Sequence, residues 1–291
     1  VQFWALRSAL FFSLFTFICM PRFAANLSFQ YNEYAFLDRF AAAASDGFKG
    51  VEYLFPYAFT PSVLAEQLKR HGLEQVLFNA PPAGKTLADM ATAWERGERG
   101  TACLPGREEE FRAGMVQALE YAESLNCKRI HVMAGLAPAD ASRSVLHATY
   151  VHNLQWATQL AASAGVTLMI EPINGRDMPG YFLQYQSDAH AVVNEVGSDH
   201  LQVQMDIYHC QIMEGDISSK LRTYLPTGKV GHLQIAGAPN RHEPDRGELH
   251  CAAIFDEIDR LGYTGWIGCE YRPERGTAPH ATRDGLGWMP R

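Results

Sequence analysis

One pattern limits the folds open to this chain more than any other. From Phe23 onward, short apolar runs alternate with longer amphipathic stretches, as expected where strands and helices take turns around a parallel sheet. The strand-like runs fall at residues 23–28, 50–53, 75–79, 129–133, 166–170, 201–205, 230–235 and 265–269. Eight β/α units are the count of a closed barrel, so the pattern predicts an α/β fold, a single (β/α)8 barrel over residues 20–291. A chain of 291 residues would also accommodate two domains, and it is the repeated alternation that decides for one.

Helical signals fill the gaps, at residues 34–45, 60–71, 107–125, 142–164, 187–196, 217–224 and 252–261. Thr60 followed by Pro61 reads as an N-cap and first helical position, and Gly72 and Gly197 lie where helices should stop. Two stretches break the regularity: residues 80–106, rich in Gly, Pro and charge, and residues 236–248, AGAPNRHEPDRGE. Both follow strand ends, where a barrel keeps its active site, so they are expected to cover a substrate. Plain surface elaboration is the alternative for each.

Composition narrows the function classes. A formal charge of −7 gives no long-range attraction to a phosphate backbone, so no nucleic-acid partner is expected. Six cysteines, at positions 19, 103, 127, 210, 251 and 269, form neither a C-x-x-C pair nor a cluster. They fit free thiols in a reducing cytoplasm rather than a disulfide scaffold or a zinc site. Residues 1–19 are apolar with one cation, Arg7. That run is short for a spanning helix, which needs about 20 residues, and no small-x-small cleavage site precedes the first strand. The segment reads as an over-extended gene start, with translation from Met20. A signal peptide or anchor, or an extra helix packed on the barrel, are the other readings. No membrane partner is expected, and assembly into a homo-oligomer is left open.

The chemistry sits at the strand ends, where apolar runs deliver polar tips: Asn26, Glu52, Asn79, Glu171, Asp206, Gln234 and Glu270. A carboxylate closing LMIE or IGCE is costly to desolvate alone, so it should be paired, protonated or bound to a cation. Strand alternation puts Gln204 with Asp206, His232 with Gln234, and Gly268 with Glu270 on common faces. Glu171, Asp206, Gln234 and Glu270 can then aim at one point with three carboxylates and an amide oxygen, hard ligands that suit magnesium or manganese better than zinc. Taken singly, each is as readily a helix cap or a surface ion pair.

The stretches PRFAANLS, GFKGVEYLFPY, LPGREEEF, IEPIN, MDIYHCQ, GHLQIAGAPNRHEPDRGE and GYTGWIGCEYRP, and the ending DGLGWMP, resemble the hydroxypyruvate isomerase family, most nearly its 2-oxo-tetronate isomerase branch. The resemblance covers residues 20 to about 276 in order. It implies a xylose-isomerase-like TIM barrel with one divalent metal, Mg2+ or Mn2+, held by Glu171, Asp206, Gln234 and Glu270, with Glu171 and Glu270 as proton donor and acceptor. Related sugar epimerases carry histidine where Gln234 stands. The reaction implied interconverts small hydroxy-keto acids, 2-dehydrotetronate with 3-dehydrotetronate or hydroxypyruvate with 2-hydroxy-3-oxopropanoate. It removes a carbon-bound proton to give an enediolate and returns it next door.

Three further residues are candidates for binding the small-molecule substrate. His209, in DIYH, is expected to touch substrate or orient a ligand, with a packed or surface histidine as the alternative. Arg241 is the first candidate for the substrate's carboxylate and Arg107 the second, because a guanidinium fork matches a carboxylate, with a surface ion pair or a helix-end charge as the alternative for either. Two rival readings remain. A non-catalytic barrel that binds a sugar acid would keep the same residues. An abasic-site endonuclease would need a histidine-rich zinc cluster, for which His131, His209 and His232 are available but the acidic charge and hard donors are unsuited.

Overall fold

Strands form where the apolar runs lie. In the computed structural model, which describes residues 21–289, they alternate with helices from end to end. The order opens with β1 (Arg22–Asn26), α1 (Asp38–Ser45), β2 (Gly50–Tyr53), α2 (Pro61–His71), β3 (Glu74–Asn79), α3 (Leu87–Thr92), α4 (Glu108–Leu125) and β4 (Arg129–His131). It continues with α5 (Arg143–Ser163), β5 (Thr167–Ile170), α6 (Gln186–Val196), β6 (Leu201–Asp206), α7 (Ile207–Met213), α8 (Ile217–Tyr224), β7 (Val230–Ile235), α9 (Cys251–Arg260), β8 (Trp266–Cys269) and α10 (Ala281–Asp284). The eight strands pair in chain order and β8 closes on β1, with Arg22 opposite Trp266 and Ala25 opposite Cys269. All pairs are parallel, as the helical crossovers require.

The outer helices hold on by one apolar stripe each. In α2 the stripe is Leu64 and Leu68, one turn apart and both buried; burial of such a side chain contributes about 1.5–3 kcal/mol. In α9 it is Ile254, Phe255 and Ile258. Inside the barrel, Ala24, Val76, Leu77, Met169 and Trp266 pack into a small apolar floor. Above that floor the interior turns polar, with Glu52, Gln204 and His232 all buried. Register shifts occur at Val51/Glu52 and at Val203/Gln204, local irregularities of the kind that re-aim side chains beside active sites.

Local signals and structure differ in a few places. Thr60 stands extended before α2, but its side chain caps no backbone N–H; its Oγ lies 3.1 Å from Ser62 Oγ instead, and Pro61 alone sets the helix start. The first helix begins at Asp38 rather than at 34, because Tyr34 is drawn into a turn and its hydroxyl donates to Pro279 O at 2.7 Å. The long stretch 80–106 contains α3, capped by Thr86, whose Oγ accepts from Asp89 N at 3.2 Å. A second unexpected helix, α7, starts directly on Asp206. Residues 1–19, read as an over-extended start, lie outside the described residues. Among the described residues no helix is long and apolar enough to cross a membrane, and the five cysteines there are buried and unpaired.

Candidate active site

The polar strand tips meet at the mouth of the barrel, on a cavity of about 540 Å3 whose wall includes Glu171, Gln204, His209, Gln234, Arg241 and Glu270. Each tip arrives by the same local route. An apolar strand ends, and the next residue of the chain emerges among the β/α loops: Glu171 follows β5, Glu270 follows β8, and Asp206 closes β6. Asp206 is also the N-cap of α7, its Oδ1 accepting from Tyr208 N at 2.7 Å. This turns its other oxygen, Oδ2, toward His209 and Arg241, at 3.6 and 3.5 Å.

Three buried carboxyls share this space, and the cost is visible in their proton affinities. Burial, then repulsion from Glu270 and Asp206, holds the Glu171 carboxyl well above the usual carboxylate range. Burial likewise pushes Glu270 up to about 8 and Asp206 up to about 6, with Arg241 opposing both. Glu171 Oε1 is buried with no hydrogen-bond partner among the described residues. Glu171, Asp206 and His209 each offer one ligand atom, all within 4.8 Å of one another. An unpartnered buried carboxylate oxygen among further acids fits a hard divalent cation.

His209 has a tautomer set by its neighbours. Asn174 Oδ1 accepts from Asp177 N at 2.8 Å, which turns the Asn174 amide nitrogen onto His209 Nδ1 at 2.6 Å. The Asn174 backbone N–H also points at Nδ1, at 3.4 Å. The two donors on Nδ1 favour the proton on Nε2, which faces Asp206 Oδ2 at 3.6 Å and Glu171 Oε1 at 4.0 Å, with Arg241 Nη2 3.4 Å away. Burial, then the nearby Arg241 guanidinium, keeps the ring's affinity for a second proton well below the usual range. His209 is therefore a neutral imidazole whose Nε2 faces the acids and Arg241.

Beneath the acids lies a second polar layer that positions Gln234. Its Nε2 donates to Glu52 Oε1 at 2.8 Å, and its Oε1 accepts from Gln204 Nε2 at 2.7 Å, leaving one lone pair of that oxygen for the cavity. Glu52, fully buried, also accepts from Asn26 Nδ2 at 2.9 Å and bonds His232 Nε2 at 2.7 Å. Gly268 on β8 makes room for this carboxylate, since a Cβ there would overlap all three of its atoms.

The two arginines singled out from sequence part company. Arg241, in the loop after β7, reaches Glu270 Oε2 at 3.3 Å as well as Asp206, and also bonds the Glu270 carbonyl at 3.3 Å. Its donors are turned onto the site's own acids. Arg107 is not on the cavity wall; it is held between Glu98, at 2.8 Å, and Glu110, at 2.7 Å. Sequence reasoning placed Glu52 among the strand tips without a role, and it passed over Asn174 and Arg99. Arg99 lines the cavity from within the stretch 80–106, and its only signal in the sequence is a cation in a long loop after a strand end.

Comparison with known proteins agrees with this architecture. A family model described as xylose isomerase-like TIM barrel matches residues 40–291. The chain is 56% identical over 270 residues to a 2-oxo-tetronate isomerase of Cupriavidus necator, covering 93% of this chain and 98% of the relative. It is 43% identical over 270 residues to a hydroxypyruvate isomerase of Escherichia coli, with the same 93% and 98% coverage. Among solved structures, it superposes with a TM-score of 0.85 on a Brucella melitensis protein named AP endonuclease, family 2, at 45% identity, covering 92% of this chain and 98% of the other.

Proposed function

We propose, from the premise that this chain belongs to the xylose isomerase-like TIM barrel family and to its group of 2-oxo-tetronate and hydroxypyruvate isomerases, that it isomerises small hydroxy-keto acids at the mouth of the barrel. The substrates are 2-dehydrotetronate, giving 3-dehydrotetronate, and hydroxypyruvate, giving 2-hydroxy-3-oxopropanoate. The observation that carries the reading is the convergence of three buried acids from three different strands, Glu171 and Glu270 on the cavity wall and Asp206 packed against them, in a chain 56% identical to a 2-oxo-tetronate isomerase over nearly its whole length.

Glu171, Asp206, Gln234 and Glu270 would hold one divalent cation, magnesium or manganese, because their donors are all oxygen. When bound, such a cation withdraws charge from substrate oxygens as a Lewis acid. The proton chemistry belongs to the protein. Glu171 and Glu270 stand at the ends of β5 and β8, three strands apart around the barrel, so one carboxylate takes the proton from carbon and the other delivers a proton to the adjacent carbon. The charge that passes through the enediolate is met by the Nε2–H of His209 and by Arg241, which spreads positive charge over the acids. The buried unpaired thiols support a cytoplasmic setting.

The test is turnover of both acids by metal-loaded protein, with solvent deuterium entering the product carbon. Absence of isomerisation of either acid would overturn the assignment. Binding of the acids without turnover would instead support the non-catalytic barrel, and nicking of abasic DNA would support the activity for which the Brucella protein is named.

A further inference from the structure

A hydroxy-keto acid brings its own carboxylate into a cavity walled by Glu171, Asp177 and Glu270, with Asp206 buried behind them. The reacting carbons belong beside Glu171, Asp206 and Glu270, so the substrate's carboxylate is repelled from that end and needs a cation elsewhere on the wall. Four arginines line the cavity: Arg99, Arg176, Arg241 and Arg272. Arg241 is committed to Asp206 and Glu270. Arg176 is exposed and donates to Tyr208 Oη at 3.0 Å and Pro239 O at 2.6 Å, with Asp177 beside it. Arg272 is exposed at the rim.

Arg99 differs from all three. It is partly buried, and among the described residues it has no carboxylate partner. Its Nη1 donates to Trp94 O at 2.9 Å and Glu98 O at 2.7 Å, and its guanidinium carbon lies over the Trp94 ring, 3.7 Å from the centroid. The head is therefore held by one nitrogen and an aromatic face. Nε and Nη2, the edge that engages a carboxylate with two parallel hydrogen bonds, make no protein hydrogen bond among the described residues.

The backbone beneath Arg99 is just as firmly set. Gly100 has φ +110, and a Cβ there would collide with the Met133 backbone just beyond β4. Its N–H donates to Pro82 O at 3.1 Å, and Cys103 N donates to Ala134 O at 2.8 Å. The segment is thus clamped to the end of β4, which in the closed order β1 to β8 stands across the barrel from β8 and Glu270.

Resting on the hydroxy-keto acid reading above, we propose that Arg99 is the specificity-determining residue that receives the substrate's carboxylate, in place of Arg241 or Arg107. The substrate then spans the mouth, its carboxylate on Arg99 and its hydroxy-ketone end among the acids. The cavity favours acids over the corresponding uncharged sugars for this reason.

The experiment uses the metal-loaded full chain, with Arg99→Gln and Arg99→Lys beside the wild type and thermal unfolding recorded for each. D-Glycerate, an acid of three carbons with no ketone to isomerise, and dihydroxyacetone, an uncharged counterpart of hydroxypyruvate, are titrated by calorimetry. Hydroxypyruvate kinetics are measured in parallel. Arg99→Gln should weaken D-glycerate by about 10- to 100-fold and raise KM for hydroxypyruvate by a similar factor. Dihydroxyacetone binding should be unchanged, and Arg99→Lys should recover part of the loss. Unchanged D-glycerate affinity in a folded Arg99→Gln protein overturns the proposal. An equal loss for the acid and the uncharged ligand also overturns it, since Arg99 would then only shape its loop. If the wild type isomerises neither acid, the proposed function falls, while the D-glycerate titration still decides the role of Arg99.

Discussion

Glu52 offers the sharpest test of the layer under the site, because it touches no part of the cavity's open space and yet fixes Gln234. Replacing Glu52 with Ala removes the acceptor of Asn26 Nδ2 and Gln234 Nε2 and the partner of His232 Nε2. All of these residues are buried, so bulk water replaces the lost partners poorly. A buried group left without its partner costs about 1–3 kcal/mol, so the three bonds together set a gross loss of roughly 3–9 kcal/mol. Relief from burying the charge offsets part of it, and a net loss of about 3–5 kcal/mol is expected. Glu52→Gln keeps the shape and still accepts from Asn26 and Gln234. It disturbs only the His232 contact, whose other nitrogen, Nδ1, is buried without a partner among the described residues, so about 1–3 kcal/mol should be lost. At about 2–4 °C per kcal/mol, calorimetric melting separates the two variants. A titration with Mn2+ should show the alanine variant binding about 10- to 100-fold more weakly, as when a partner that orients a ligand is removed. An alanine variant with the wild-type melting temperature and Mn2+ affinity would refute the idea that this layer holds Gln234 in place.

Other expectations follow from the acids themselves. Glu171→Gln and Glu270→Gln keep a ligand oxygen but cannot shuttle a proton, so turnover should fall by about 10²- to 10⁴-fold while metal content, assayed alongside, is retained; near-normal turnover with metal bound would reduce that glutamate to a ligand. Chelation should abolish activity and Mg2+ or Mn2+ restore it, and Asp206→Asn should act chiefly by weakening metal binding; turnover that survives exhaustive chelation would exclude the metal-assisted route. In chelated protein the raised proton affinities of Glu171, Glu270 (about 8) and Asp206 (about 6) mean that the folded state binds more protons than the unfolded chain. Their contribution to stability is fully present below about pH 4, the unfolded range, and is lost as pH rises toward 8 and beyond. The gain in melting temperature on adding Mn2+ should therefore grow between pH 5 and pH 8, and a pH-independent gain would contradict the shared acid site.

Much of the architecture is legible in the chain because a strand buried on both faces must be apolar whatever its neighbours are. LMI before Glu171, VQM before Asp206 and IGC before Glu270 announce both the strand and the polar tip that it delivers. The same logic fixes which residues of a strand face inward, so that Gln204 with Asp206 and His232 with Gln234 follow from alternation alone. Only the closed barrel decides what those side chains meet. Glu52 and His232 are 180 residues apart and join in one hydrogen bond, a pairing set by barrel closure rather than by local spacing. The choice among arginines was likewise tertiary. Arg99 and Arg107 lie eight positions apart, one within the polar stretch and one just after it, and in sequence they look equally fit for a carboxylate. Packing gives one of them two glutamates and the other a tryptophan face and a place on the cavity wall. Local periodicity carries the secondary structure because it reports which face is buried. The identity of a buried charge's partner depends on where distant segments come to rest, and a linear pattern does not encode that.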